Sequence, residues 1–266
     1  MIEKKIQSKR GTVYYWTNEN NNENELAIVF CHGLTADHTL FDKQVQHLAN
    51  DYKLISWDIP LHGKSRPYQD FSFANVNKEL LEILKQEKVE KTVLVGQSAG
   101  GYIAQAFINE YQEKVIGFVG VGTTPFGNSY YKKSELFWIK HYSSIAMLYP
   151  YSLYCKAGAK AVTITDESRE NMHNALVKLG KKDMLKAASS VYGEFLKVEE
   201  EVDFNCPVLL TYGEYDNTGY VKKYNDCWAD KTGFPLNVIK NASHNANYDN
   251  YKEFNQLLVS FMHTIK

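Results

Sequence analysis

Ser98 lies in Gly96-Gln97-Ser98-Ala99-Gly100-Gly101, a G-x-S-x-G pattern that follows an apolar run and opens a helical one. A serine on such a sharp strand-to-helix turn takes a strained backbone conformation, so residues two positions away must lack bulky side chains. The turn points the hydroxyl outward and leaves the Ala99 N–H at a helix start, where the dipole favours negative charge. That hydroxyl is a weak nucleophile until a base takes its proton, and the expected chain order is serine, acid, histidine. Asp216 follows the run Val208–Tyr212, and His244 follows Leu236–Ile239. In a parallel sheet both loops share an edge with Ser98, where ligands bind. His244 is then general base and acid, while Asp216 fixes its tautomer and stabilises the imidazolium. Glu214 is a competing acid in the same loop. Cys31-His32-Gly33-Leu34 closes an earlier buried run, and Gly33 lets the backbone turn there. The Leu34 and Ala99 N–H groups are the expected oxyanion hole.

The other histidines fit this role less well. His47 and His263 fall on amphipathic helical patterns, His141 and His173 in the helical stretch 124–200, where a solvated side chain is expected over a substrate contact, and His62 precedes Gly63 in a loop. No H-E-x-x-H is present, and His32 and His38 lack its i, i+4 spacing, so no metal and no cofactor is expected.

The elements that must carry these groups alternate. Lys5–Ser8 and Thr12–Thr17 read as an antiparallel pair, and Asn18–Glu25 as a hairpin loop. Leu26–Cys31, Lys53–Trp57, Thr92–Val95, Val115–Val121, Pro207–Tyr212 and Leu236–Ile239 read as strands. Between them run helical patterns: Phe41, Val45 and Leu48; residues 76–87; Ile103 and Phe107; and the closing stripe through Phe254, Leu258 and Phe261. This predicts an α/β fold, a mostly parallel sheet of about eight strands with helices on both faces. From about residue 124 to 200 no strand pattern appears. Three helical stripes do: Trp138, Tyr142, Ile145, Tyr149; then Met172, Ala175, Leu176, Leu179; then Met184, Ala188, Val191, Phe195, with Asp183 a candidate N-cap. The expected organisation is a core of residues 1–123 and 201–266 interrupted by a helical lid at 124–200.

The chain's 266 residues correspond to between one and two domains at about 150 residues each. Lys plus Arg (30) nearly balances Asp plus Glu (31), so no global field draws it to nucleic acid or an anionic membrane. There is no secretory pattern, no span of 18 apolar residues and no C-x-x-C, so a cytoplasmic location is expected. A monomer and a homodimer both remain open. Aromatics make up 14% of the chain, and nine of the eleven in residues 124–200 lie within 126–154. That stretch is the expected pocket roof. Gly33, Phe126, Trp138, Tyr142 and Tyr149 are the candidate contacts to a small acyl substrate with an apolar portion.

Taken together, His32-Gly33, Asp58-Ile59-Pro60-Leu61-His62-Gly63-Lys64-Ser65, Gly96–Gly101, Asp216 and His244 resemble the α/β-hydrolase superfamily over nearly the whole chain. The Asp58–Ser65 stretch looks like the D-x-P-G-H-G-x-S loop of its lid-bearing members. Leu61 replaces a glycine there, so a slightly different loop path is expected, with Asp58 and His62 ordering the loop. Haloalkane dehalogenases and epoxide hydrolases of this fold carry Asp at the elbow, and Ser98 argues against both. The resemblance implies a serine hydrolase of a small ester, thioester or lactone. C–C bond hydrolysis, acyl transfer or a lyase step with the same triad is an alternative. So is a ligand-binding or signalling protein on a hydrolase scaffold.

Overall fold

The computed structural model describes residues 1–18 and 26–265, so most of the expected hairpin loop, residues 19–25, lies outside the described residues. Eight strands form one sheet: β1 (Ile2–Ser8), β2 (Gly11–Thr17), β3 (Ala27–Cys31), β4 (Lys53–Trp57), β5 (Thr92–Gln97), β6 (Val115–Val121), β7 (Val208–Gly213) and β8 (Leu236–Ile239). Their order across the sheet is β1-β2-β4-β3-β5-β6-β7-β8. β2 runs antiparallel to both neighbours, and from β4 to β8 every pair is parallel. The central strands are buried throughout: every residue of β3 and β5 is covered, as a parallel sheet packed on both faces requires.

Helices α1 (Asp42–Leu48), α2 (Phe73–Gln86) and α3 (Ala99–Glu110) connect the first parallel strands. Their apolar faces are short repeats at helical spacing; α2 buries Phe73, Val76, Leu80, Ile83 and Leu84, and Ser72 caps it by accepting from the Asn75 N–H. Between β6 and β7 the described residues contain no strand. Four helices run there: α4 (Lys133–Met147), α5 (Tyr151–Val162), α6 (Asp166–Leu179) and α7 (Lys181–Phe195). The sequence pattern shows three of these; α5 escapes it because its buried face is Cys155 and Ala159, while Leu153 is exposed. Asp183 is not the N-cap of α7. Gly180 is, at φ 79°, and the Asp183 carboxylate instead accepts from the Arg66 guanidinium at 2.7 Å. After β7 come α8 (Val221–Thr232), then α9 (Ala246–Asp249) and α10 (Tyr251–Thr264) after β8.

The sheet separates two apolar layers. Val29, Ile55, Leu94 and Phe118 face α2 and α3 on one side; Ile28, Val93, Val95 and Val119 face Phe254, Leu258 and Phe261 of α10 on the other. The four-helix stretch reaches both layers: Cys155, Ala159, Met172 and Leu176 join the second, and Ala187 and Phe195 join the first. No helix among the described residues is long and apolar enough to cross a membrane.

Candidate active site

Ser98 stands between the end of β5 and the start of α3 at φ 50°, ψ −121°, a conformation that costs an L-residue energy and persists only when its surroundings fix it. Two contacts do so. The Ser98 N–H donates to Val121 O at the end of β6 (2.9 Å), and the Gly101 N–H donates back to Ser98 O (2.9 Å). Behind it the helix presses on the sheet: a Cβ on Gly100 would lie 2.0 Å from Cys31 O. Ala99 is the first residue of α3, so its N–H has no carbonyl one turn back and points out of the helix end.

The His244 and Asp216 loops leave the same sheet edge. His244 Nδ1 lies 2.8 Å from Asp216 Oδ2, with both side chains almost fully buried. A carboxylate accepts only, so Nδ1 carries the proton and Nε2 presents a lone pair. Burial pushes the Asp216 carboxyl up, but the His244 partner and the Thr218 N–H, which donates to Oδ1 at 2.8 Å, outweigh it; the net shift is downward and the group stays ionised. The histidine loop is held from three directions. Gln97 Nε2 donates to His244 O (3.2 Å), Asp249 Oδ2 accepts from the Ser243 N–H (2.9 Å), and the Tyr215 N–H donates to Ala242 O (2.9 Å). Glu214 turns elsewhere: its carboxylate accepts from the Asn241 N–H at 3.1 Å and lies 3.7 Å from Lys240 Nζ, leaving Asp216 alone beside the imidazole.

Ser98, Gln97, His244 and Asn245 share one cavity of about 120 Å³ with Leu34, Thr35 and Ala36 from the β3 loop. In that loop Thr35 sits at φ 68°, and the Ala36 N–H donates to Gly33 O at 3.2 Å. Gly33 itself does not line the cavity. A Cβ there would fall 2.1 Å from Gln97 Oε1, so the glycine is what lets this loop close on the elbow. The opposite wall comes from all four helices between β6 and β7: Tyr142 of α4, Tyr154, Gly158 and Val162 of α5, Met172 and Leu176 of α6, and Tyr192 of α7.

Of the candidate substrate contacts, the structure brings only Tyr142 to this cavity. Trp138 and Tyr149 are 62% and 55% exposed, and Phe126 packs against Phe73, Tyr102 and Phe195 in the core. The reason is the inward face of α4. It runs Glu135, Ile139, Tyr142, Ala146, and Glu135 is buried because its carboxylate accepts from Tyr224 Oη and the Lys132 N–H. A buried Glu and a small Ala make the inward stripe less apolar than the outward one. Tyr154, Met172, Leu176 and Tyr192 are lining residues that sequence reasoning did not assign to the site; Met172 and Leu176 belong to a stripe whose apolar spacing was visible, but nothing in the spacing separates a cavity wall from a packed core.

The Asp58–Ser65 loop packs beneath this site. Asp58 Oδ1 accepts from the His38 N–H (2.9 Å) and lies 2.8 Å from His38 Nδ1, while Oδ2 accepts from the Lys64 N–H (2.6 Å). His38, unassigned from sequence, stacks on Trp16 at 3.3 Å between ring centres. His32 donates from Nδ1 to Gly33 O (2.8 Å) and accepts the Ile59 N–H at Nε2 (3.0 Å), which requires a neutral ring; burial accordingly pushes its pKa down. Leu61 adopts φ 75°, the left-handed conformation glycine takes freely, at a cost to leucine of about 1–2 kcal/mol.

The profile described as alpha/beta hydrolase fold matches residues 27–154. Over 85 residues the chain is 34% identical to 3-oxoadipate enol-lactonase 1 of Acinetobacter baylyi, a stretch covering 32% of each protein. Over 98 residues it is 32% identical to the pimeloyl-acyl-carrier-protein methyl ester esterase of Wigglesworthia glossinidia brevipalpis, covering 37% of this chain and 36% of that one. The matched stretch thus spans about a third of the length of these curated relatives. Solved structures match along nearly the whole chain. A thermophilic esterase from Thermogutta terrifontis superposes with a TM-score of 0.82 at 16% identity, covering 100% of this chain and 99% of that one. The enol-lactonase from Burkholderia xenovorans gives 0.70 at 15% identity, covering 95% and 97%. The matched profile and the eight-stranded order, with a strained serine after β5, show that the chain has the α/β-hydrolase fold.

Proposed function

We propose that this protein is a serine hydrolase of small carboxylic esters, thioesters or lactones. The observation that carries the reading is the buried His244–Asp216 pair, 2.8 Å apart, whose histidine lines one cavity with a serine held in a strained turn. His244 Nε2 takes the proton of Ser98 as Oγ attacks the substrate carbonyl carbon. Asp216 stabilises the imidazolium so formed. The Leu34 and Ala99 N–H groups receive the tetrahedral oxyanion, a contribution worth about 100- to 1,000-fold per donor. The alcohol or thiol leaves with the proton from His244, giving an acyl-Ser98 ester. Water then gives a proton to His244 and attacks that ester, releasing the acid and restoring Ser98.

Residues 124–200 act in this reading as the lid, and α4 to α7 close the cavity over Ser98. The matched esterases and enol-lactonases carry names that accord with this chemistry. The test is turnover of a short-chain ester by Ser98→Ala, expected to fall by up to about a million-fold on the precedent of catalytic serines. Undiminished turnover in a folded Ser98→Ala protein contradicts the assignment.

A further inference from the structure

The cavity that Ser98 shares with His244 measures about 120 Å³. An apolar protein cavity of about 150 Å³ takes one benzene ring, so this one admits about five non-hydrogen atoms. Sites for drug-sized ligands are several times larger, roughly 300–1,000 Å³. The walls that set this limit are fixed by packing: Met172 and Leu176 belong to the same buried layer as Ile28 and Val95.

Charge is the second restriction. Among the described residues that line it none is Lys, Arg, Asp or Glu. The polar wall is neutral: Tyr142 and Tyr154 share a hydrogen bond between their hydroxyls at 2.5 Å, and burial pushes Tyr142, Tyr154 and Tyr192 up, so all three keep their protons. A carboxylate brought beside Ser98 finds no cation to replace its lost hydration.

Resting on the serine-hydrolase reading above, we propose that the group transferred to Ser98 is a short, uncharged acyl chain of about five non-hydrogen atoms, acetyl to butyryl in size. In the transfer the Ser98 Oγ–acyl bond forms as the ester C–O bond breaks. The alcohol departs with the proton that His244 took from Ser98, and water supplies the hydroxyl of the released acid.

Two substrate series test this on the wild-type protein. The first compares p-nitrophenyl acetate, butyrate and octanoate; kcat/KM for octanoate is expected at least about tenfold below butyrate, since single methylenes at a closed wall are worth that much. The second compares methyl acetoacetate with monomethyl malonate, near-isosteres differing in charge, each normalised to its alkaline hydrolysis rate. The malonate monoester is expected at least about a hundredfold slower, the cost of an unpaired buried carboxylate. Met172→Ala, which shortens the wall, is expected to raise the octanoate-to-butyrate ratio at least about tenfold. Equal turnover of octanoate and butyrate, or of the charged and neutral esters, overturns the proposal. Labelling of Ser98 by a small-alkyl fluorophosphonate on the same sample separates the two failures. Labelled Ser98 with an indifferent substrate profile sinks the size and charge assignment alone, whereas unlabelled Ser98 with no ester turned over sinks the hydrolase reading beneath it.

Discussion

His62 illustrates how a single buried side chain ties the loop beneath the site to pH. Its Nδ1–H donates to Pro60 O at 3.2 Å, and its Nε2 is buried with no hydrogen-bond partner among the described residues. Burial, reinforced by His32 nearby, pushes its pKa down to about 3. In the unfolded chain a histidine titrates near 6.5. Between these values the unfolded state binds a proton that the folded state does not, so stability is fully present above about 6.5 and falls as pH falls toward 3. The slope is at most about 1.4 kcal/mol per pH unit for one histidine, and His32, also pushed down by burial, adds in the same direction. Urea unfolding at pH 7, 6 and 5 is expected to show a declining midpoint, flatter in His62→Gln; an identical decline in that variant contradicts the account. At this scale the gathering of Ser98, Asp216 and His244 at one sheet edge was legible because each follows a strand in the sequence. Tyr154, Met172 and Tyr192 were not, because lining a cavity depends on which way a helix is turned, and Ala146 and Glu135 decide that for α4.

The four helices between β6 and β7 are fastened to the sheet layer by directed contacts, among them those of Arg66. Its Nη1 donates to Leu179 O (2.7 Å) and its Nη2 to Lys178 O (3.2 Å), satisfying carbonyls at the C-terminus of α6. Nε donates to Gly63 O (2.7 Å), and Asp183 on α7 pairs with Nη1 at 2.7 Å. The Asp183 carboxylate is partly solvated, so the two carbonyl contacts contribute more than the ion pair. Arg66→Met keeps the stem and removes the fork. It is expected to cost about 1–3 kcal/mol and to speed amide exchange in residues 166–195, measured by hydrogen-exchange mass spectrometry. Unchanged exchange in those helices counts against Arg66 as their anchor. The strands were legible as elements because fully buried parallel strands are unbroken apolar runs. Helix α8 was not, although Val221, Tyr224, Asn225 and Trp228 repeat at helical spacing; Asn225 reads as polar but is buried, its Nδ2 donating to Thr123 O at 2.6 Å.

At the scale of the whole molecule, one sheet edge gathers the ends of β3, β5, β7 and β8, and with them the Leu34 loop, Ser98, Asp216 and His244. The helices that face this edge are part of both apolar layers, so the cavity is set by the packing of the whole chain. The succession of strands and helices along the chain and the placement of the serine turn were visible in the sequence; the order of the strands across the sheet was not. The cavity's size was not, because it arises from contacts between segments more than a hundred residues apart, such as Thr35 and Met172. Everything proposed for this edge depends on Ser98 being a nucleophile made reactive by His244. Reaction with a small-alkyl fluorophosphonate, followed by peptide mass spectrometry, tests it most directly. A single adduct on Ser98 is expected, formed at least roughly a thousandfold more slowly in His244→Gln; an adduct on another residue, or an equal rate in His244→Gln, rules out that activation.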